Sequence, residues 1–289
     1  MARKFKKNYD LFSGFGYFTP TISELIILIV WFGVGMLIST VIAGVLGVVM
    51  QDMTSSIEVV MIISYPIMFI PAMMYASLKS HKNALFEEEF PLDNNRFGKV
   101  GGLLCAVMAA LATLALGMIL ESVNVLLPKM PEALEKAFES LTGGNFWVDF
   151  LSVSIFAPLF EEWLCRGEVL RSLLHFKKDN GERGIKPVWA IIISALFFAL
   201  IHLNPWQAVP AFGLGCLFGY VYYKTGSLKL TMLMHCVNNT FALICSHIDS
   251  LAESDSWIDF LGTTSYTIIA LACALLLILI IRKFKDIKE

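Results

Sequence analysis

The chain has 289 residues, of which 57% are hydrophobic and only 16% are charged, and its formal net charge is −2. A soluble globular domain holds about 45–50% apolar and about 25% charged residues. The apolar excess excludes an ordinary soluble domain, and the charge balance excludes a broadly basic nucleic-acid-binding protein. We therefore expect an all-α polytopic membrane protein without a nucleic-acid partner.

A transmembrane helix needs about 20 predominantly apolar residues. In chain order, the apolar stretches that meet or approach this length are 24–50, 57–78, 100–127, 146–174, 187–204, 206–223, 228–246 and 263–281. They predict about eight transmembrane helices in a single membrane domain, 1–289. The fifth and sixth stretches are short and are separated only by Asn204 and Pro205.

The distribution of Lys and Arg predicts the orientation. If both termini are cytoplasmic, only Lys129 and Lys136 of the 22 Lys and Arg residues fall on the other side. Cytoplasmic flanks of membrane helices carry such an excess. Together with the short loops, this favours a multi-pass protein of a prokaryotic inner membrane with both termini cytoplasmic. In the remaining connections, we predict a short amphipathic surface helix at 128–143 and an acidic, solvated connector at 247–262.

The six cysteines lie within or at the edge of apolar stretches, and none forms a CxxC pair. This pattern favours buried thiols over a disulfide framework or a cysteine-based zinc site.

The fourth apolar stretch contains Glu161, Glu162 and Arg166, and charged residues within membrane spans are costly enough to suggest a function. Glu162 and Arg166 are four residues apart on one helix face and can pair. Glu161 points about 100° away from Glu162 and is left free for chemistry. The alternative is a buried structural ion cluster.

Two further apolar stretches also carry polar groups. The fifth ends in His202, and the seventh holds His235, Asn238 and Asn239, with His235 and Asn239 on one helix face. If these groups lay far apart in lipid, they would have no hydrogen-bond partners, which is costly. We therefore expect them to converge with Glu161 around one polar intramembrane cavity.

The depths of the two histidines do not agree if the helices are straight. His202 would lie about 24 Å along the helix from Lys186, and His235 only about 9 Å from Lys229. Either the fifth helix starts deeper than expected, or the break at Asn204 is re-entrant, which is tolerated where backbone lines a cavity.

The chemistry of this set suits amide hydrolysis. A carboxylate and a neutral imidazole can hold a water molecule and accept its proton. A second imidazole and a carboxamide can stabilise the developing oxyanion. Two other functions stay open: a proton-coupled transporter that uses these groups as a relay, and a non-catalytic membrane scaffold or immunity protein of the same fold.

Three motifs follow in order: EExxxR at 161–166, FxxxH at 198–202 and HxxxN at 235–239. Their order resembles the CAAX-protease and bacteriocin-processing family of intramembrane endopeptidases, also called the Abi family. The resemblance covers about 145–246, including a glycine-rich approach to the last motif, and implies that this part is the catalytic core.

The resemblance also implies roles for the motif residues. Glu161 would be the general base for the attacking water, and His202 would help to position that water. His235 and Asn239 would stabilise the oxyanion. Supporting roles fall to three other motif residues, Glu162, Arg166 and Phe198.

For cofactors and substrates, the resemblance leaves alternatives. The family was first called metal-dependent, and a metal-free, glutamic-type mechanism is now its usual interpretation. We expect no cofactor, because the sequence has no HExxH motif; a zinc ion held by Glu161, His202 and His235 is the alternative. The implied partners are membrane lipid and a peptide or protein substrate, either lipidated at its C-terminus as for eukaryotic relatives, or unmodified.

Overall fold

The computed structural model describes residues 11–50, 56–136, 144–177, 181–182, 184–252, 254 and 256–287. Within these ranges the chain is helical and forms no strand, which confirms the predicted all-α fold. Its long helices are α1 (Ile22–Val49), α2 (Ser56–Asn83), α3 (Gly102–Asn124), α4 (Phe146 to His175), α5 (Pro187–Leu200), α6 (Pro205–Thr225), α7 (Leu228–Ser246) and α8 (Thr263–Lys285).

Five of these helices, α1, α2, α3, α7 and α8, are long and apolar enough to cross a membrane by themselves. Their outer sides expose large apolar side chains, such as Leu37 on α1 and Leu271 on α8. Such a surface suits contact with lipid rather than water. The protein is therefore a multi-pass membrane protein. The predicted number of eight spans is approximate, because α5, for example, has only 14 residues.

Helix α4 is not a regular α-helix. It alternates α-helical stretches with two π-helical stretches, Phe150–Phe156 and Trp163–Leu170. The short α-helical segment between them, Ala157–Glu162, carries the two adjacent glutamates. π-Helical turns are rare and frequently occur at functional sites.

The fifth helix ends earlier than the sequence predicts. We expected helix to residue 204, but α5 stops at Leu200, and His202 lies in the connection to α6. Leu203 takes a left-handed backbone conformation, φ 57°, which β-carbon-bearing residues rarely adopt. Asn204 then caps α6 by accepting a hydrogen bond from the backbone N–H of Gln207 at 2.9 Å.

Both predicted connectors contain helical turns. Residues 132–136 are helical, and the rest of the predicted surface helix, 137–143, lies outside the described residues. The acidic connector forms two short helices, Asp249–Ala252 and Trp257–Leu261. All six cysteines are free thiols, as predicted.

One end of the helix bundle, which we call the termini face, holds the start of α1 and the end of α8. There, Lys79 at the end of α2 pairs with Glu24 at the start of α1, 2.7 Å apart. The hydroxyl of Tyr220 near the end of α6 donates to the carbonyl of Ile281 in α8 at 3.4 Å. Gly226 ends α6 with φ 65°, and its carbonyl accepts from the N–H of Asn94 at 2.8 Å. Because a β-carbon there would lie 3.0 Å from Asn94, this turn favours glycine.

The opposite end of the bundle, which we call the distal face, holds the ends of α3 and α7 and the starts of α4, α6 and α8. The hydroxyl of Tyr266 in α8 donates to the carbonyl of Met118 in α3 at 2.7 Å. The indole of Trp206 at the start of α6 donates to the carbonyl of Pro128 at 2.8 Å. The helices therefore run in alternating directions between these two faces.

Candidate active site

A cavity of about 760 Å³ lies within the bundle. Its wall contains Glu161 of α4, His202 of the α5–α6 connection, and His235 and Asn239 of α7. Residues up to 78 positions apart in sequence are brought together because α4, α6 and α7 pack side by side. The structure therefore gathers the four predicted catalytic side chains in one place.

Glu162 and Arg166 form an ion pair beneath this cavity. Nη1 of Arg166 lies 2.8 Å from Oε1 of Glu162, and both side chains are fully buried. The guanidinium stacks 4.4 Å from the ring centroid of Phe198 and 5.4 Å from that of Phe218. A buried charge needs such partners, because removal from water costs several kcal/mol per ion.

The glycine-rich face of α6 makes room for this ion pair. Nη2 of Arg166 donates to the carbonyl of Gly215 at 3.2 Å. A β-carbon at Gly215 would lie 3.1 Å from Ala195 and 3.3 Å from Nη2 of Arg166. The glycine therefore permits the close approach of α4, α5 and α6. This close packing explains a glycine in the glycine-rich approach to the last motif.

His235 lies between the two adjacent glutamates. Its Nδ1 is 3.0 Å from Oε1 of Glu162, and its Nε2 is 3.9 Å from Oε2 of Glu161. Because the Glu162 oxygen also accepts from Arg166 and acts as an ionised acceptor, Nδ1 carries the hydrogen of this bond. The ring is thus oriented by Glu162, and its second nitrogen faces Glu161.

Tyr65 is a further residue of the site and was not predicted from the sequence. Its hydroxyl, on α2, donates a hydrogen bond to Oε1 of Glu161, and the ring lines the cavity. Oε2 of Glu161, in contrast, has no hydrogen-bond partner among the described residues. The only sequence signal was a polar hydroxyl next to Pro66 inside an apolar stretch. Tyr65 therefore fixes one oxygen of the carboxylate and leaves the other facing His235.

Phe198 connects the two histidines. Its ring centroid lies 5.1 Å from that of His202 and 5.4 Å from that of His235, in both cases edge to face. Nδ1 of His202 donates to the carbonyl of Phe198 at 2.8 Å, so that Nε2 of a neutral ring is left as an acceptor. Both histidines therefore contact the same Phe198 ring, which the estimate from straight helices did not predict, and His202 does so from a non-helical connection.

The two asparagines of α7 form a short chain of hydrogen bonds. Nδ2 of Asn238 donates to Oδ1 of Asn239 at 3.0 Å, and Nδ2 of Asn239 donates to the carbonyl of Val153 at 2.8 Å. Val153 belongs to the first π-helical stretch of α4. A carboxamide nitrogen has two hydrogens, so Asn239 keeps one N–H for another acceptor while its orientation is fixed.

The residues of the zinc alternative do not form a three-ligand set. No three His, Cys, Asp or Glu side chains in the described part of the chain lie close enough together to hold a metal ion. Nδ1 of His235 is engaged by Glu162, and Nδ1 of His202 by a backbone carbonyl. These contacts leave Nε2 of each ring for a further partner, so it is the spacing of the three side chains that does not fit a metal ion held by Glu161, His202 and His235.

A second group of buried charges lies between the cavity and the termini face, and was not singled out from the sequence. The fully buried Arg171 pairs with Glu168 at 3.5 Å. Its guanidinium also donates to the backbone carbonyls of Phe18, of Phe90 at 2.6 Å, and of Gly167 at 2.7 Å. These bonds fasten the end of α4 to the segments that precede α1 and α3.

The fold and the site define a helical, multi-pass membrane protein with a Glu–His cluster in an internal cavity. Residues 143–241, which hold all three motifs, match the family of type II CAAX prenyl endopeptidases described as Rce1-like. The match confirms the resemblance of this part of the chain to the CAAX-protease and bacteriocin-processing family, which was stated from the motifs.

One curated relative is the membrane-embedded CAAX protease MroQ of Staphylococcus aureus (strain USA300). It is 34% identical over 93 residues, which cover 32% of this chain and 36% of the relative. The match therefore spans about a third of that protein's length. No solved structure matches the chain. Both descriptions are of peptidases: the family model describes an endopeptidase, and the relative is named as a membrane-embedded protease.

Proposed function

We propose that this protein is an intramembrane endopeptidase that hydrolyses a peptide bond with a water molecule activated by Glu161. The observation that carries the proposal is the position of the Glu161 carboxylate. Oε1 accepts a hydrogen bond from Tyr65, and Oε2 faces Nε2 of His235 at 3.9 Å in the wall of a cavity. One oxygen is fixed and the other is left to accept a proton.

In the proposed reaction, Oε2 of Glu161 takes a proton from water as the oxygen attacks the peptide carbonyl carbon. Nε2 of His202 is an acceptor that helps to position this water. The carbonyl becomes an oxyanion, to which Asn239 donates its remaining N–H, and His235 donates from Nε2 when the ring is protonated. Glu161 then transfers its proton to the leaving nitrogen as the C–N bond breaks.

Glu162, Arg166 and Phe198 hold this arrangement without entering the reaction. Glu162 orients the His235 ring, Arg166 balances the charge of Glu162, and Phe198 packs between the imidazoles. An active site needs such support, because small displacements of reacting groups cost much of the rate.

The proposed reaction has no step through a metal or another cofactor. The proposed substrate is a peptide or protein in contact with the membrane. The family description and the name of the relative support a protease, and the contacts around Glu161 support the proposed mechanism.

The test is cleavage of a quenched-fluorescence peptide library by the purified protein in detergent. Glu161→Gln should lower the cleavage rate by about 10²–10⁴-fold, the usual contribution of a general base. Glu132→Gln is the matched control, because this exposed glutamate lies outside the cavity. Cleavage that persists in Glu161→Gln would disprove the role of the base, and loss of cleavage only with a chelator would disprove the metal-free reaction. A folded wild type that cleaves no peptide would favour the scaffold alternative.

A further inference from the structure

The residues that line the cavity are not spread evenly along the helices. They lie within residues 61–69 of α2, 113–124 of α3, 152–161 of α4 and 235–246 of α7. On each of these helices, the lining residues extend from near the helix midpoint toward the end at the distal face. Glu161, Thr113 and His235 mark the deep end of the cavity.

The distal end of the cavity carries polar and aromatic side chains suited to a membrane–water boundary. Trp206 and Gln207 at the start of α6 line it, together with Asn124 at the end of α3, Ser246 at the end of α7, and Trp257. Tryptophan is enriched at this boundary because its ring is apolar and its N–H is polar. We take this end as the mouth of the cavity.

The opposite direction is closed by packed and paired side chains. Glu162, Trp163 and Arg166 are fully buried directly behind Glu161, and Arg171 with Glu168 fills the next turns of α4. A peptide that approached from the termini face would have to separate these ion pairs, which is strongly destabilising.

The positive charges distinguish the two faces. Apart from the buried Arg166 and Arg171, the described Lys and Arg residues at or near the termini face are Lys79, Lys82, Arg96, Lys99, Lys177, Lys186, Lys224, Lys229, Arg282, Lys283 and Lys285. Those of the distal face are Lys129 and Lys136. An excess of Lys and Arg marks the cytoplasmic side, which makes the distal face the non-cytoplasmic one.

From these observations we infer that the cavity takes its substrate from the non-cytoplasmic side of the membrane. The inference rests on the proposed function. It assigns the substrate to peptides that have been translocated or secreted and lie at the outer leaflet. It excludes the lipidated C-terminus of a cytoplasmic protein as the substrate, because such a segment would have to reach Glu161 through the closed half of the bundle.

The first test locates the mouth without any need for activity. In a variant from which the six cysteines have been removed, Ser246→Cys marks the mouth and Lys99→Cys marks the termini face, where residue 99 is exposed. A membrane-impermeant maleimide should label Ser246→Cys in right-side-out vesicles and Lys99→Cys only in inverted vesicles. The reverse pattern would overturn the inference.

The second test uses the wild-type protein, in case the cysteine-free variant does not fold. Hydrophilic, membrane-impermeant peptides that are cleaved in detergent are added to right-side-out and inverted vesicles. Cleavage should be confined to right-side-out vesicles and absent from Glu161→Gln. Cleavage confined to inverted vesicles would overturn the inferred side of entry but leave the proposed function intact. A lack of cleavage in detergent would disprove the proposed function, and the labelling test would then decide on which side the mouth of the cavity lies.

Discussion

Nε2 of His235 lies 3.9 Å from Oε2 of Glu161, while Nδ1 of the same ring bonds the neighbouring Glu162. The sequence alone groups His235 with Asn239, but this contact also places it beside the proposed base. One imidazole is therefore held by one carboxylate and faced by another. The same ring can stabilise negative charge on Glu161 and on the oxyanion. We therefore expect a substitution of either glutamate to change how the His235 ring is held.

We expect Asn239→Ala to lower kcat by about 10²–10³-fold with little change in KM, because the lost N–H donor acts mainly on the oxyanion of the transition state. Steady-state cleavage of a library-derived peptide in detergent measures both constants. Asn238→Ala is the comparison: it removes one of the two hydrogen bonds that orient the Asn239 side chain and should cost less. An Asn239→Ala protein with a raised KM and an unchanged kcat would contradict the assigned role.

We expect Tyr65→Phe to lower kcat about tenfold or more, because a hydrogen bond to a charged group contributes roughly 1.5–3 kcal/mol. The phenyl ring keeps the packing against Phe69, so the melting temperature should change little. Tyr75→Phe on the same helix is the control, since the Tyr75 ring packs against Phe18 and lies outside the cavity wall. Equal rates for both variants would show that Tyr65 does not position Glu161.

Two ion pairs with the same four-residue spacing should differ widely in their contribution to stability. Arg166→Met leaves a fully buried Glu162 carboxylate without its cation and should lower the free energy of unfolding by about 3–5 kcal/mol. Lys136→Met breaks the exposed pair with Glu132 and should cost about 0.5 kcal/mol or less. Thermal unfolding in detergent compares them, and similar melting temperatures would contradict the structural importance of the buried pair.

The cavity should prefer peptides with positive charge. Its described wall contains Glu161 and Glu121 and no Lys or Arg. Glu121 lies near the mouth, where it accepts a hydrogen bond from the N–H of Trp257 at 3.3 Å. Glu121→Gln should therefore lower kcat/KM several-fold for Lys-containing peptides, through the loss of Coulomb attraction at partly screened distances, and leave neutral peptides nearly unchanged.

The control for this preference is Asp259→Asn, which neutralises an exposed carboxylate on the short helix beside the mouth without touching the cavity. Paired peptides that differ only by Lys or Gln give the ratio of kcat/KM for each variant. If the Lys-to-Gln ratio of kcat/KM fell equally in both variants, the preference for positive charge would come from general surface charge rather than from a specific contact of Glu121.

Much of the site could be predicted because its pairs follow helical spacing. The contact of Glu162 with Arg166 comes directly from their four-residue separation. Tyr65 could not be predicted, since its partner Glu161 is 96 residues away and only tertiary packing brings α2 against α4. The early end of α5 was missed although Asn204 followed by Pro205 is typical of a helix start, because the left-handed conformation of Leu203 has no sequence signal.

The π-helical winding of α4 has a consequence for insertions and deletions in this chain. A π turn closes its hydrogen bond one residue later than an α turn, so removing one residue from 150–156 would allow ordinary winding and rotate everything before Ala157 by about 100° relative to the glutamates. The carbonyl of Val153 would then turn away from Asn239. The length of this segment is therefore fixed to the residue, although most of its side chains are interchangeable apolar groups, and orthologues should differ there by substitution and not by length.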